Sequence, residues 1–324
     1  QKNSVRGTWK GFRTVRGRLE RYEQHTNEAL YFESITFEWA EKFKEFAKKI
    51  DLDPNTLKKT FEDLGTFLNY YYSDQEKLGF TLTDDFRDVN KFRKVAGTHS
   101  SDPTPLYQDE IEAVMKFKPS KPIEFEIIVK GEKVKETITV EAQYKVKRLF
   151  LLSCFTGLRF SDITKLKKGN IQGNTIVIRA RKTDRNESAK NLNIPLFKYA
   201  KDILEEIDHN IRSITLTNQI TNKYLKQILK QIGIDTMMIE YSYSLNAERT
   251  EENKPKYDLV SFHSGRDTFI TNCLIAGIDI TTVMSWSGHS KFETFKKYVS
   301  LSDNYLKIQH RKADKFFSQF KLLK

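Results

Sequence analysis

The sequence predicts a mainly α protein with a small β component, organised as two domains, and three observations carry that expectation. Large apolar residues return at three- or four-residue steps through most of the first seventy positions, as in helices that bury one face. The stretch HSSDPTP at residues 99–105 breaks that pattern with Ser, Asp and Pro and reads as a linker. Beyond it, short alternating segments of strand type lie among further helical stretches. The expected boundaries are a tail over residues 1–7, a helical domain over 8–104 and a mixed domain over 105–324.

Taken in order, Trp9, Phe12, Val15, Leu19 and Tyr22 form the first apolar stripe, with Lys and Arg on the other faces. Phe37, Ala40, Phe43, Phe46 and Ile50 form the second. Leu57, Phe61, Leu64, Leu68 and Tyr71 form a third after the start signal DPNT at residues 53–56. In the second domain, DEIEAVMKF reads as a helix and residues 123–140 as a hairpin around Gly131. A long helix is expected from about Glu141 into FTGLRFSDI at residues 155–163. NTIVIRARKT and KNLNIPL alternate as two strands joined by DRNES. Residues 237–261 read as another hairpin, and the remainder to Lys324 as helical.

The 324 residues, with 23 Phe and 14 Tyr, can fill two cores. The 55 Lys and Arg exceed the 43 Asp and Glu, for a formal charge of +12, which makes a polyanion the default partner, nucleic acid first. Cys154 and Cys273 sit in apolar stretches away from any CxxC or His spacing, so they read as core thiols of a reducing compartment, with neither disulfide nor zinc implied. No segment approaches the roughly 18 apolar residues of a membrane span, and QKNSVRGTW has no signal core. A cytoplasmic, nucleoid-associated protein is expected. The missing initiator Met points to a fragment or processed chain.

Two arginines then stand out. Arg159, in FTGLRFSDI, and Arg266, in HSGRDTF, lie among small or apolar neighbours, where an unpaired charge is costly. Something anionic should meet them. Ser161-Asp162 reads as the N-cap of the next helix, which puts Arg159 at a tight junction after Gly157. Lys182 closes a strand 23 residues on. His263 and Arg266 share a helical face, and SGHSKFETFKKYV brings His289 and, nine residues later, Tyr298.

That order, Arg159, Lys182, His263-x-x-Arg266, Gly288-His289 and Tyr298, resembles the tyrosine recombinases, the integrases of phages and mobile elements. The likeness is nearest to integrases of integrative elements with a hairpin ahead of the His-x-x-Arg box. It covers most of the chain and rests on six positions in order rather than on any one motif. The resemblance implies a DNA clamp, with a helical core-binding (SAM-like) domain and a mixed α/β catalytic domain. It implies that Arg159 and Arg266 grip the scissile phosphate while His263 and His289 hydrogen-bond its oxygens. Lys182 would protonate the leaving 5′ oxygen, and Tyr298 would attack phosphorus to give a 3′-phosphotyrosyl link. Asp162 resembles the acidic residue that supports the first arginine. Asp267 departs from relatives, which often carry a basic residue there, and Trp286 stands where a smaller side chain is usual.

The chemistry is consistent with those roles. Planar guanidinium forks bind two phosphate oxygens at once, so two arginines and two imidazoles can stabilise the charge without metal or other cofactor. A tyrosine ester keeps the phosphodiester energy, so strands rejoin without ATP. The partners implied are double-stranded DNA at a recombination site, a four-way Holliday junction, a homotetramer on DNA and accessory DNA-bending factors. Integration or excision of an element, inversion or resolution, and type IB topoisomerase action share this chemistry. A catalytically silent DNA-binding regulator on the same scaffold is the rival of another class. Arg179, Arg181 and Lys190 compete with Lys182, and Tyr305 competes with Tyr298. The stripe Phe316, Phe317, Phe320 and Leu323 fits docking on a neighbouring subunit or on the chain's own core.

Overall fold

The first apolar stripes fold as their periodicity requires. The computed structural model describes residues 6–87, 89–96, 102–129, 131–179, 191–246, 248–301, 310–315 and 317–318. The chain divides into two compact units, Gln1–Ser101 with Ile239–Glu252, and Asp102–Met238 with Asn253–Lys324.

In the first unit, helices α1 (Arg6–Thr26), α2 (Phe37–Lys49), α3 (Pro54–Tyr71), α4 (Gln75–Leu78) and α5 (Val89–Ala96) follow one another. The Thr36 hydroxyl accepts from the Trp39 amide and starts α2; the Asp53 carboxylate accepts from the Thr56 amide and starts α3, with Pro54 in its first turn. Phe43, Leu57, Phe61 and Leu68 are the centre of the core, and Trp39 and Phe61 close it edge to face. α1 begins inside the stretch read as a tail. Ile50, expected on the second stripe, is the exposed C-cap of α2. Leu245, from the distant segment 239–252, is only 9% exposed and belongs to this same core.

The second unit opens with α6 (Gln108–Lys116) and the antiparallel hairpin β1 (Ile123–Val129) and β2 (Glu132–Ile138). Its central helix α7 (Val140–Thr156) is buried over most of its length, and Gln143 Nε2 donates to the carbonyls of Lys121 and Ile138, tying it to the hairpin. After α8 (Phe160–Ile163) come β3 (Ile171–Gln172), β4 (Thr175–Ile178) and β5 (Leu192–Pro195), an antiparallel sheet in the order β3-β4-β5 with Ile176 facing Ile194. Helices α9 (Lys198–Glu206), α10 (Ile211–Ile214) and α11 (Asn218–Ile232) follow. Strands β6 (Met237–Tyr243) and β7 (Arg249–Pro255) form the expected second hairpin, whose end belongs to the first unit. The unit is completed by α12 (Lys256–Leu259), α13 (Phe262–Ile275), α14 (Ile280–Ser287) and α15 (Phe292–Leu301), and residues 310–315 are helical.

α13 packs against α7, α11, α14 and α15, and it pins the start of its unit: Thr268 Oγ1 accepts from the Leu106 amide and Asn272 Nδ2 donates to the Leu106 carbonyl. Cys154 and Cys273 are free and buried, as a core reading of both requires; burial pushes both thiols up, that of Cys273 to about 12. Of the terminal stripe only Phe317 falls among the described residues, and it is exposed; Phe316, Phe320 and Leu323 lie outside them.

Candidate active site

Arg159 stands where α7 ends. The helix stops at Gly157, whose φ of +65° is the left-handed cap that favours glycine. A Cβ there would lie 2.5 Å from Cδ1 of Phe269 on α13, so both conformation and space demand glycine. The next turn starts on Arg159 itself, whose carbonyl accepts from the amides of Asp162 and Ile163. Ser161-Asp162 therefore lies inside α8 rather than capping it, because Arg159 already holds the extended N-cap conformation. Asp162 is buried, and Arg159 is half-buried.

Arg266, on α13, is 2% exposed, and its charge is met by the ends of two other helices. Nη1 donates to the Gly157 carbonyl at 2.8 Å and Nη2 to the Ser287 carbonyl at the end of α14. Helix C-termini carry unsatisfied carbonyls and partial negative charge, so they suit a buried cation. Burial first, then the nearby Arg159, lowers the guanidinium's pKa to about 10, which still leaves it charged at neutral pH. Nη2 also lies 3.4 Å from His289 Nδ1, and Ser287 Oγ lies 2.8 Å from the same nitrogen. The Ser287 hydroxyl donates its proton to the Val283 carbonyl at 2.7 Å, so its oxygen is open to accept from the imidazole. Burial, followed by Arg266 and Arg159, lowers His289 to about 3, so this imidazole is neutral at pH 7.

Tyr298, on α15, is 1% exposed. Its ring meets His289 at 5.8 Å and Phe295 at 5.5 Å between centroids, and its hydroxyl donates to Asp267 Oδ1 at 2.8 Å. Burial and that carboxylate push the phenol well above its ordinary pKa. His263 Nε2 stands 3.9 Å from the same Asp267 oxygen, with its side chain 57% exposed. Desolvation of the imidazole's inner side, ahead of the neighbouring guanidiniums, lowers its pKa, and Asp267 opposes the shift.

Five of the six expected residues, Arg159, His263, Arg266, His289 and Tyr298, thus converge at the junction of α7, α13, α14 and α15. Lys182 lies outside the described residues, within 180–190. Asp267, in the sequence only a departure from relatives, and Ser287 join the site through the Tyr298 hydroxyl and His289. The signal for the first was the i,i+4 spacing of His263 and Asp267. Trp286 is accommodated between Phe197 and Phe269, at 6.3 and 6.4 Å between ring centroids. Among the described residues no group of three or more His, Cys, Asp or Glu could hold a metal ion, and no helix is long and apolar enough to cross a membrane.

A buried phenol, two arginines and two imidazoles thus meet at one helix junction. Residues 106–305 match the phage integrase family, and residues 1–75 match the phage integrase SAM-like domain, so the chain belongs to the phage integrase (tyrosine recombinase) family. No curated protein sequence matches it. Among solved structures, a lambda integrase dimer bound to a core site is 14% identical with a TM-score of 0.61, over 94% of this chain and 91% of that one. The Tn1549 transposon integrase in complex with circular intermediate DNA is 16% identical, with a TM-score of 0.55 over 91% and 90%. XerH recombinase bound to a palindromic difH substrate is 16% identical, with a TM-score of 0.58 over 93% and 79%. These likenesses show the mainly α tyrosine recombinase fold, with a helical amino-terminal domain and a catalytic domain.

Proposed function

We propose that the protein is a site-specific DNA recombinase that integrates or excises a mobile element or phage by cleaving and rejoining strands through a 3′-phosphotyrosyl intermediate. The observation that carries this reading is the placement of the Tyr298 phenol against His289, itself beside Arg266. Arg159 and Arg266 bind the non-bridging oxygens of the scissile phosphate. His289 and His263 hydrogen-bond the same oxygens, His263 from the open side of the site. Tyr298 attacks phosphorus, and Lys182 supplies the proton to the departing 5′ oxygen.

Charge on the phosphorane oxygens is met by preset donors, which is the largest contribution available to a site of this kind. Among the described residues Arg266 donates to the carbonyls of Gly157 and Ser287, which fixes the plane of its guanidinium for a phosphate. The chemistry needs neither metal nor ATP, because the tyrosyl ester stores the energy of the broken bond. The partners are duplex DNA and, during exchange, a Holliday junction held by a homotetramer with accessory DNA-bending proteins. The work is done in the cytoplasm, at the nucleoid.

The test uses nicked duplexes tiled across the DNA that flanks the gene. One of them should trap a covalent adduct with the wild-type protein, mapped by mass spectrometry to Tyr298. Tyr298→Phe should bind that duplex and form no adduct. Reversible binding alone would identify a silent DNA-binding regulator, and a nucleotide on Tyr305 would move the nucleophile.

A further inference from the structure

The assigned roles leave the proton of Tyr298 without a destination. That proton points at Asp267 Oδ1, 2.8 Å away, on a side chain only 6% exposed. The same oxygen lies 3.9 Å from Nε2 of His263, whose side chain is largely in solvent. One oxygen of a buried carboxylate thus accepts from a buried phenol and has an exposed imidazole 3.9 Å away. The geometry points to Asp267 as the general base of the reaction, taking the proton of Tyr298 as its oxygen bonds to phosphorus and passing it out through His263. This rests on Tyr298 being the nucleophile.

The step balances. A lone pair of Tyr298 Oη forms the bond to phosphorus while its proton passes to Asp267 Oδ1. The bond from phosphorus to the 5′ oxygen breaks, and that oxygen leaves with the electron pair and takes a proton from the acid assigned to Lys182. In rejoining, the 5′ hydroxyl returns its proton to the acid assigned to Lys182 as its oxygen bonds to phosphorus, the bond from phosphorus to Tyr298 Oη breaks, and Asp267, reprotonated through His263, gives that oxygen its proton back. His263, uncharged when its pKa is lowered, can take the proton on Nε2 after one small side-chain movement. The phenol's raised pKa gives the carboxylate its importance: free phenolate is scarce at neutral pH, so attack must be coupled to proton removal by a group already in contact.

Among the described residues, the charged and titratable groups around this pair are His263 and Arg266 on α13, Arg159 between α7 and α8, His289 after α14 and Lys297 on α15, with Asp162 on α8 acting on Arg266. Of these, Arg266 and Arg159 are cations set to bind the substrate, and His289 faces the ring of Tyr298 rather than its hydroxyl proton. Asp267 is the carboxylate in contact with that proton.

The experiment is single-turnover adduct formation on the duplex selected by the tiling assay, comparing wild type, Asp267→Asn and Asp267→Glu from pH 6 to 9. Asparagine keeps the shape and still accepts the phenol's hydrogen bond, so melting temperature and DNA affinity should hold. The adduct rate should fall about 10²- to 10⁴-fold. Its profile should rise close to tenfold per pH unit above neutral pH, where the wild type is flat, because phenolate must now form without help. Asp267→Glu should restore part of the rate and the flat profile, and it carries the test should the Asn protein fail to fold. An Asn protein as fast as wild type or faster would overturn the inference and make the contact a lock on the nucleophile. A slow Asn or Glu protein with the wild-type profile would reduce Asp267 to a structural partner. If the Tyr298→Phe protein forms an adduct, the nucleophile itself is wrong; if it does not and Asp267→Asn is unimpaired, only the base assignment fails.

Discussion

Replacing Gly157 by alanine tests the joint between the core and the site. The residue has φ +65°, and its carbonyl holds Nη1 of Arg266 at 2.8 Å. A left-handed conformation costs an L-residue roughly 1–2 kcal/mol. The added Cβ would also stand 2.5 Å from Cδ1 of Phe269, and forcing a packed ring aside costs about 1–3 kcal/mol. Together these predict a loss of about 2–5 kcal/mol. At roughly 2–4 °C per kcal/mol for a unit of this size, the melting temperature should fall by about 4–20 °C. Gly233→Ala is the internal control. That residue caps α11 at φ +87° with nothing within 4 Å of a Cβ, so it isolates the conformational cost, about 1–2 kcal/mol. Urea unfolding of both variants gives the difference directly, provided the slope is unchanged. Equal losses in the two would refute the claim that Phe269 closes on Gly157, and a loss below about 1 kcal/mol would refute the left-handed cap as well.

Three further outcomes are expected. His289 titrates near 3 in the folded protein, well below its unfolded value of about 6.5, so the folded state resists its protonation. The stability this provides is complete above pH 6.5 and is lost as pH falls toward 3; His289→Gln should flatten that limb of a denaturation series, and an unchanged limb would contradict the assignment. Lys182→Ala should lose about 10²- to 10⁴-fold in cleavage while still binding DNA, and a 5′-bridging sulfur, which leaves without a proton, should restore much of it. No rescue would pass the role to Arg181 or Lys190. DNA affinity should fall by several log units per log unit of salt, about 0.9 per phosphate neutralised, and a slope near zero would exclude a protein that tracks the backbone.

The amino-terminal helices were legible because their information is local. Phe43, Phe61 and Leu68 repeat at helical spacing, and Thr36 and Asp53 announce the starts. The site was legible for another reason: an order of reactive residues that few chemistries would require. What escaped were pairings between distant positions. Asp267 meets Tyr298 across 31 residues, and Arg266 reaches the Gly157 carbonyl across 109, with no local pattern to announce either. Ser161-Asp162 had the composition of an N-cap, yet the conformation of Arg159 placed the boundary earlier. α9 and α11 carry an apolar periodicity, and the two-residue strand β3 is too short to have a period at all.

The position of Leu245 sets an order of events during synthesis. The first unit draws on Gln1–Ser101 and on Ile239–Glu252, so its core cannot close when its helices leave the ribosome. The missing side chain arrives about 150 residues later, roughly 8–30 s at ordinary elongation rates. For that interval the nascent helices lack one side chain of their core, and much of the carboxy-terminal half must emerge before the amino-terminal unit is complete. A gene cut at residue 101 would make that loss permanent, so a stable amino-terminal fragment needs a substitute for Leu245 as well as a boundary.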